Sequence, residues 1–362
     1  MKALLSLTLL IVIATIIFSC RKGSNDDKND PVPKERKKYA WACGQIDSTG
    51  YGMILFSSDG GDTWVRQGLE STALLGNDLQ DIWAIDENNV WAIGLNSVIR
   101  TINGGQTWTS VQVPSNIEGR ELYSISVFNK TSIWISGNMG TILNSNDNGN
   151  SWTIYDQTYF NHAFFQGIAA INQHKIFVAG GSGDSSLRGY IAYTLDGGAT
   201  WDSLVPANNY NRHEWIGVSS SENTIVVYGG KSHYIVITDA GTTWNNDSVP
   251  GTGGSDGADI NHLIMLNSQK WWGAFDMGQI FITSDGGANW TEQQTVGLGQ
   301  FFMLGIDAWD SQLALAVGSQ AGPSNNCPII KTSNGGVLWE QKFATTNSSL
   351  RKVTFIKGQH LK

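Results

Sequence analysis

An all-β ring of seven four-stranded blades, a β-propeller, is the fold predicted by this 362-residue sequence. Three observations carry the prediction. A phrase of the form Ser/Thr-x-Asp/Asn-Gly-Gly-x-Thr-Trp recurs seven times, its tryptophans 43 to 49 residues apart. A typical copy is preceded by three short apolar runs. The two ends of the folded part read as different strands of one unit. A fixed period of roughly 40–50 residues marks a repeat architecture, in which each unit buries its faces only against its neighbours.

The copies put Asp59, Asn103, Asp147, Asp196, Asp239, Asp285 and Asn334 in the acidic or amide position. Ser57-Ser58-Asp59-Gly60-Gly61-Asp62-Thr63-Trp64 shows the expected chemistry. A short carboxylate or amide side chain accepts backbone N–H groups just ahead of it, which makes a tight turn. The second glycine permits positive φ, and the Trp anchors the returning strand by burying a large ring. The fifth copy is degenerate, with Ile237 where Ser or Thr stands elsewhere. The pattern resembles the Asp-box, or bacterial neuraminidase repeat, and is expected to be structural. Ser145-Asn-Asp-Asn-Gly149 invites a calcium reading. It lacks the bidentate Glu and the regular oxygen spacing of such a loop, so no metal and no cofactor is expected.

The runs between copies are strands. In the second unit they are Leu79 to Asp86, Val90 to Gly94 and Ser97 to Thr101; in the third, Leu122 to Asn129, Ile133 to Gly137 and Gly140 to Ser145. Each is short, rich in Ile, Val and Trp, and bounded by Gly, Asn or Asp. Their near-continuous apolarity fits sheets covered on both faces. A fourth strand after the Trp completes a blade. Tyr39-Ala-Trp-Ala-Cys-Gly44 matches Val90-Trp-Ala-Ile-Gly94, a second strand, whereas Leu350 to Ile356 matches Leu79 to Ile85, a first strand. N-terminal strands and the C-terminal strand are therefore expected to share one blade and close the ring, leaving no open sheet edge. One propeller domain is expected over 39–362.

The N-terminus reads as an address. Residues 1–19 carry Lys2 and an apolar stretch from Leu4 to Phe18, too short and wrongly flanked for a membrane span, so an export signal is expected. Ile17-Phe18-Ser19-Cys20 resembles a bacterial lipobox in the looser form seen in Bacteroidetes. Cys20 is the expected lipidation site. Residues 20–38 would then be a lipidated cysteine and a polar, charged tether. The expected location is the bacterial outer membrane, on its periplasmic or outer side, touched only through the lipid.

Charge narrows the partners. From Tyr39 onward the chain holds 15 Lys and Arg against 27 Asp and Glu, a net charge of −12. That argues against nucleic acid, whose binding relies on basic neutralisation of phosphates. Cys43 and Cys327 are expected to be buried thiols of neighbouring units.

Candidate binding residues lie on loops joining one blade to the next, at about 65–78, 109–121, 153–163, 202–214, 245–260, 291–301 and 340–349. Tyr155, Tyr159 and His162 cluster on one; Tyr210, Arg212, His213 and Glu214 cluster on another. Rings beside amides and charges suit a glycan or a protein surface, and they also serve as plugs between blades. The six histidines show no metal-binding spacing, and there is no Gly-x-Ser-x-Gly elbow. A sialidase needs three arginines and a Tyr–Glu nucleophile pair, but no arginine here lies in an Arg-Ile-Pro context. A xyloglucanase-like hydrolase would use paired carboxylates at the channel mouth, for which Asp78, Asp81, Glu121, Glu214 and Asp259 are the candidates.

Val90 to Trp108 is similar to one repeat of the photosystem II stability/assembly factor family, and Ser132 to Ser145 to another. The resemblance covers nearly all of 39–357. It implies a seven-bladed propeller and a non-catalytic protein that holds or assembles partners. That family's arginine-rich patch has no counterpart in this acidic ring, so no site residue is carried over. The expectation is a monomeric, lipid-anchored binding or scaffold module for a protein or glycan; the alternative is a glycoside hydrolase.

Overall fold

The computed structural model describes residues 37–95, 97–155, 160, 162–182, 189–204, 215–221, 223–238, 243–252, 257–295, 301–320, 326–346 and 348–356. They form seven four-stranded antiparallel sheets. Blade 2 is typical: Leu79–Ala84, Val90–Gly94, Ser97–Thr101 and Thr109–Val111, in that order from the channel outward. Blades 3 to 7 begin with the inner strands Leu122–Phe128, Ala163–Ala170, Trp215–Ser221, Ile260–Met265 and Phe301–Ala308. Blade 1 is the mixed one. Leu350–Phe355 is its inner strand and pairs with Ala40–Ile46, followed by Gly52–Ser57 and Val65–Arg66. Ala40 stands opposite Phe355 and Ala42 opposite Val353. Each inner strand packs on the inner strands of the two adjacent blades, so the ring is continuous.

Two expected strands are shorter than the sequence suggested. The inner strand of blade 2 stops at Ala84, because the Asp86 carboxylate accepts Asn88 N–H and Asn89 N–H and turns the chain. In blade 3 the third strand starts at Ile142, because Gly140 takes φ +67° and donates its N–H to Ala163 of the next blade.

The core lies between blades, not inside them. Trp41, Cys43 and Ile54 of blade 1 pack against Leu79, Ile82, Ala92 and Trp108 of blade 2. Similar clusters fill the other seams, with Trp41, Trp91, Trp134, Trp215, Trp271 and Trp272 fully buried. Second strands are apolar on both sides because both sides face a neighbour; Val90–Gly94 and Trp271–Phe275 are buried throughout. Cys43 and Cys327 are buried thiols, and burial pushes the Cys43 thiol well above its usual range.

Candidate functional site

Antiparallel blades give the ring two unlike faces. The repeated Gly-Gly turns join third to fourth strands and mark the repeat face. Turns between second and third strands, and the loops entering each inner strand, mark the opposite loop face.

On the repeat face the Asp and Asn side chains of the described turns are committed. Asp59 Oδ1 accepts Thr63 N–H at 3.0 Å and Oδ2 accepts Thr63 Oγ1–H at 2.6 Å; Ser57 Oγ accepts Gly61 N–H at 2.8 Å. Asp147, Asp196 and Asp285 repeat this arrangement. Asn103 and Asn334 accept the matching N–H groups of Thr107 and Leu338. Asp239 lies outside the described residues. Burial opposes ionisation of Asp59, but hydrogen bonds from Thr63 and Ser57 outweigh it and bring its pKa to about 2. Hydrogen bonds led by Ser151 and by Thr200 bring Asp147 and Asp196 to about 2 as well.

Five of the repeat turns are also docking points for the preceding blade. Gln67 Nε2 donates to Gly104 O at 2.9 Å and Arg100 Nη1 to Asn148 O at 2.7 Å. The Tyr155 hydroxyl donates to Gly197 O at 3.1 Å, and that of Tyr234 to Gly287 O at 2.9 Å. At ring closure Lys331 Nζ meets Asp62 Oδ2 at 2.6 Å. One geometric role is filled by Gln, Arg, Tyr and Lys, which explains why no constant residue marks it in the repeat.

The loop face is built differently. Every inner strand carries one extra residue opposite its partner strand, a β-bulge. The extra residues are Gln80, Tyr123, Gln166, Ile216, Asn261, Leu304 and Arg351, all half-buried. Bulges re-aim side chains and occur often beside binding sites. In six of the seven blades a glycine stands opposite the bulge toward the end of the second strand; in blade 6 it is Phe275. A Cβ on Gly94 would stand 2.1 Å from Asp78 O, and one on Gly137 2.2 Å from Glu121 O. Polar bulge residues gather on blades 1 to 4, with Arg351, Gln80, Tyr123 and Gln166. Ile216 and Leu304 make the other side more apolar. There Asn261 is tied to Asp276 Oδ1 at 2.8 Å and Met303 O at 3.0 Å.

Around this mouth, three second-to-third-strand turns hold a residue other than glycine at positive φ: Met139 at 53°, Lys231 at 57° and Met277 at 61°. L-residues adopt this region at a cost of roughly 1–2 kcal/mol. Met277 is 69% exposed and Met139 54%, while Leu75 and Phe302 on the same face are 58% and 39% exposed. Sequence reading passed over these residues, since a Met between Asn and Gly looks like any loop residue. Their signal is the absence of a second glycine where the backbone requires αL.

Of the sequence candidates, the two described ones, Tyr155 and His162, do not come together. Tyr155 is packed inside the seam of blades 3 and 4, stacked on Trp134 at 5.4 Å and edge-on to Trp201 at 5.9 Å, toward the repeat face. It is a plug. His162 is exposed at the start of blade 4, on the loop face. Tyr159, Tyr210, Arg212, His213, Glu214 and Cys20 lie outside the described residues.

Three of the candidate carboxylates serve the backbone. Asp78 Oδ1 accepts Ile46 N–H at 2.7 Å, and Asp259 Oδ1 accepts Lys231 N–H at 2.8 Å. Asp81 reaches across the seam to Ile125 N–H at 3.0 Å and Ser124 Oγ–H at 3.2 Å. Burial raises its pKa, an effect offset in part by Lys352 and these donors. Glu121 Oε2 accepts the Tyr123 hydroxyl at 2.5 Å. Among the described residues, no group of three or more His, Cys, Asp or Glu is placed to hold a metal ion.

Several solved structures share this fold. The chain is similar to YCF48 bound to a D1 peptide, with 18% identity, 83% of this chain and 85% of that one covered, and a TM-score of 0.57. Against YCF48 from Cyanidioschyzon merolae the identity is 15%, the coverage 80% and 94%, and the TM-score 0.59. Against the GH74 xyloglucanase from Xanthomonas campestris the identity is 14%, with 89% of this chain covered and a TM-score of 0.61. This chain spans 53% of that enzyme's length. No family model and no curated protein matches the sequence. At these identities the likeness is one of fold: a seven-bladed propeller common to a peptide-bound protein and to a glycosidase.

Proposed function

We propose that this protein is a binding module whose loop face holds a polypeptide partner around the channel mouth. The observation that carries this reading is the set of exposed Met139, Met277, Leu75 and Phe302 on one face. Two of the turns that present them hold a non-glycine residue at positive φ. Methionine is flexible and polarisable, and is favoured on surfaces that adapt to a protein partner. That a propeller of similar fold is found with a peptide bound supports the same direction. The engagement of Asp78, Asp81 and Asp259 with backbone N–H groups weighs against a hydrolase, which needs two carboxylates available to substrate.

The test places a photo-crosslinking residue at Met277 or, as control, at Val337 on the repeat face, which is 75% exposed. Polypeptide adducts are expected from position 277 in the native envelope and not from position 337. Equal labelling at both positions would sink the assignment to the loop face. A glycan panel scored by thermal shift and by released reducing ends covers the other classes. A shift without product would move the reading to a glycan, and product lost in Glu121→Gln would make it a hydrolase.

We also propose that the ring is displayed on a lipid-anchored tether beginning at Cys20, at the outer membrane. Metabolic labelling with a fatty acid is expected to mark the wild type and not Cys20→Ala.

A further inference from the structure

One bulge residue at the channel mouth is left incomplete. Arg351 stands on the inner strand of blade 1, half-buried. Its Nε is buried and has no hydrogen-bond partner, and among the described residues no carboxylate forms an ion pair with its guanidinium. Carboxylates of the flanking blades are committed elsewhere. Asp307 accepts Ala308 N–H and Phe355 N–H at 2.9 and 2.8 Å, and Asp81 holds the seam to blade 3. The next bulge residue around the ring is Gln80, a half-buried amide on the adjacent inner strand. A guanidinium carries five donors in a planar fork, offers no acceptor and stays charged, so one that is half-exposed and has no carboxylate partner is suited to an anion.

We propose that Arg351, with the Gln80 amide from the neighbouring strand, receives a carboxylate of a bound peptide at the channel mouth. The fork matches the two oxygens of a carboxylate, and an amide N–H adds a neutral donor. One guanidinium and one neutral amide balance a single negative charge. A phosphate carries more charge than this site offers inside a ring of net charge −12. The assignment to a peptide rests on the loop-face reading above, because the exposed Met139 and Met277 share that face.

The test follows the Arg351 Nε–H resonance in the full-length protein by NMR, assigned by its loss in Arg351→Gln. Three probes are titrated: the capped tripeptides Ac-Gly-Glu-Gly-NH2 and Ac-Gly-Gln-Gly-NH2, and Ac-Gly-Gly-Gly with a free C-terminus. A saturable shift is expected from the probes bearing a carboxylate and none from the glutamine probe. The stronger of the two acids tells an acidic side chain from a chain terminus. In Arg351→Gln, probe binding read from backbone amides should weaken at least tenfold, with Arg351→Lys in between and all three proteins melting alike. Equal responses to the Glu and Gln probes would overturn the site, as would no response, or tighter binding of glucuronate than of either acid peptide. Unchanged partner crosslinking from position 277 in Arg351→Gln would remove the carboxylate site and leave the loop-face reading standing. Loss of crosslinking from position 277 in Met139→Ser, with intact probe binding, would separate the two the other way.

Discussion

The repeat face and the loop face are made by the same seven blades, yet they use their polar side chains differently. On the repeat face each described turn is closed by its own Asp or Asn, and five turns receive a donor from the preceding blade. On the loop face the inner strands bulge, two methionines stand exposed at positive φ, and Arg351 Nε has no partner. The repeat face spends the Asp and Asn side chains of its described turns on their own backbone, while Ile102, Leu195, Val337 and Leu338 stand exposed beside them. The loop face is set apart by its bulged inner strands, by the exposed Met139 and Met277 and by the unpartnered Nε of the charged Arg351. Natural folds keep such local inconsistencies mainly where function needs them.

Several changes would break or sharpen this contrast. The largest effect is expected at the joint that lets the loop face bulge. Gly94→Val sets a Cβ about 2.1 Å from Asp78 O, and should cost more than about 3 kcal/mol or prevent folding, read by urea unfolding. A stable Gly94→Val ring would show that the bulge does not need this glycine. Next comes the seam: Trp134→Ala removes a ring 2% exposed and should destabilise by roughly 3–5 kcal/mol. Tyr155→Phe, which loses only the hydrogen bond to Gly197 O, should cost about 1 kcal/mol.

Acid should act on the repeat face first. Asp59, Asp147 and Asp196 are lowered from 3.8 to about 2 in the folded ring. The unfolded chain therefore binds protons more readily than the folded one between these values. Their stabilisation is fully present above about pH 4 and is lost as pH falls toward 2. Melting temperature measured across that window should fall, and should fall less steeply in Asp59→Asn/Asp147→Asn/Asp196→Asn. Parallel curves for the two proteins would mean that other groups govern acid unfolding. The smallest effect on stability belongs to the loop face. Met139→Ser and Met277→Ser should change unfolding free energy by no more than about 0.5 kcal/mol, since both side chains are exposed. Met139→Ser should also abolish partner crosslinking from position 277. A large stability loss there would show that the methionines serve the fold.

Much of this was legible in the linear sequence, for reasons that can be named. The turn residues Ser57, Asp59, Gly61 and Thr63 act on one another within four positions, so their chemistry survives as a local pattern. Ring closure was legible because the Ala40–Ile46 and Leu350–Phe355 segments carry the apolar signatures of different strands of one unit. The site was far less legible. Tyr155 reads as a loop aromatic, but its partner Trp134 and its acceptor Gly197 belong to different blades. Asp78 and Asp81 read as available carboxylates, but Ile46 and Ile125, whose N–H groups they hold, lie 32 and 44 residues away.

The sequence by itself determined the number of blades, the turn chemistry and the way the ring closes, because period, glycine placement and apolar runs are local quantities that repeat. Only the tertiary structure decided which polar groups are satisfied and which remain. That outcome depends on what the neighbouring blade brings within about 3 Å, and no single repeat contains its neighbour. Arg351 and Lys352 are adjacent in the chain. The geometry of the seam leaves the Nε of Arg351 unpaired, while the charge of Lys352 offsets part of the cost of burying Asp81.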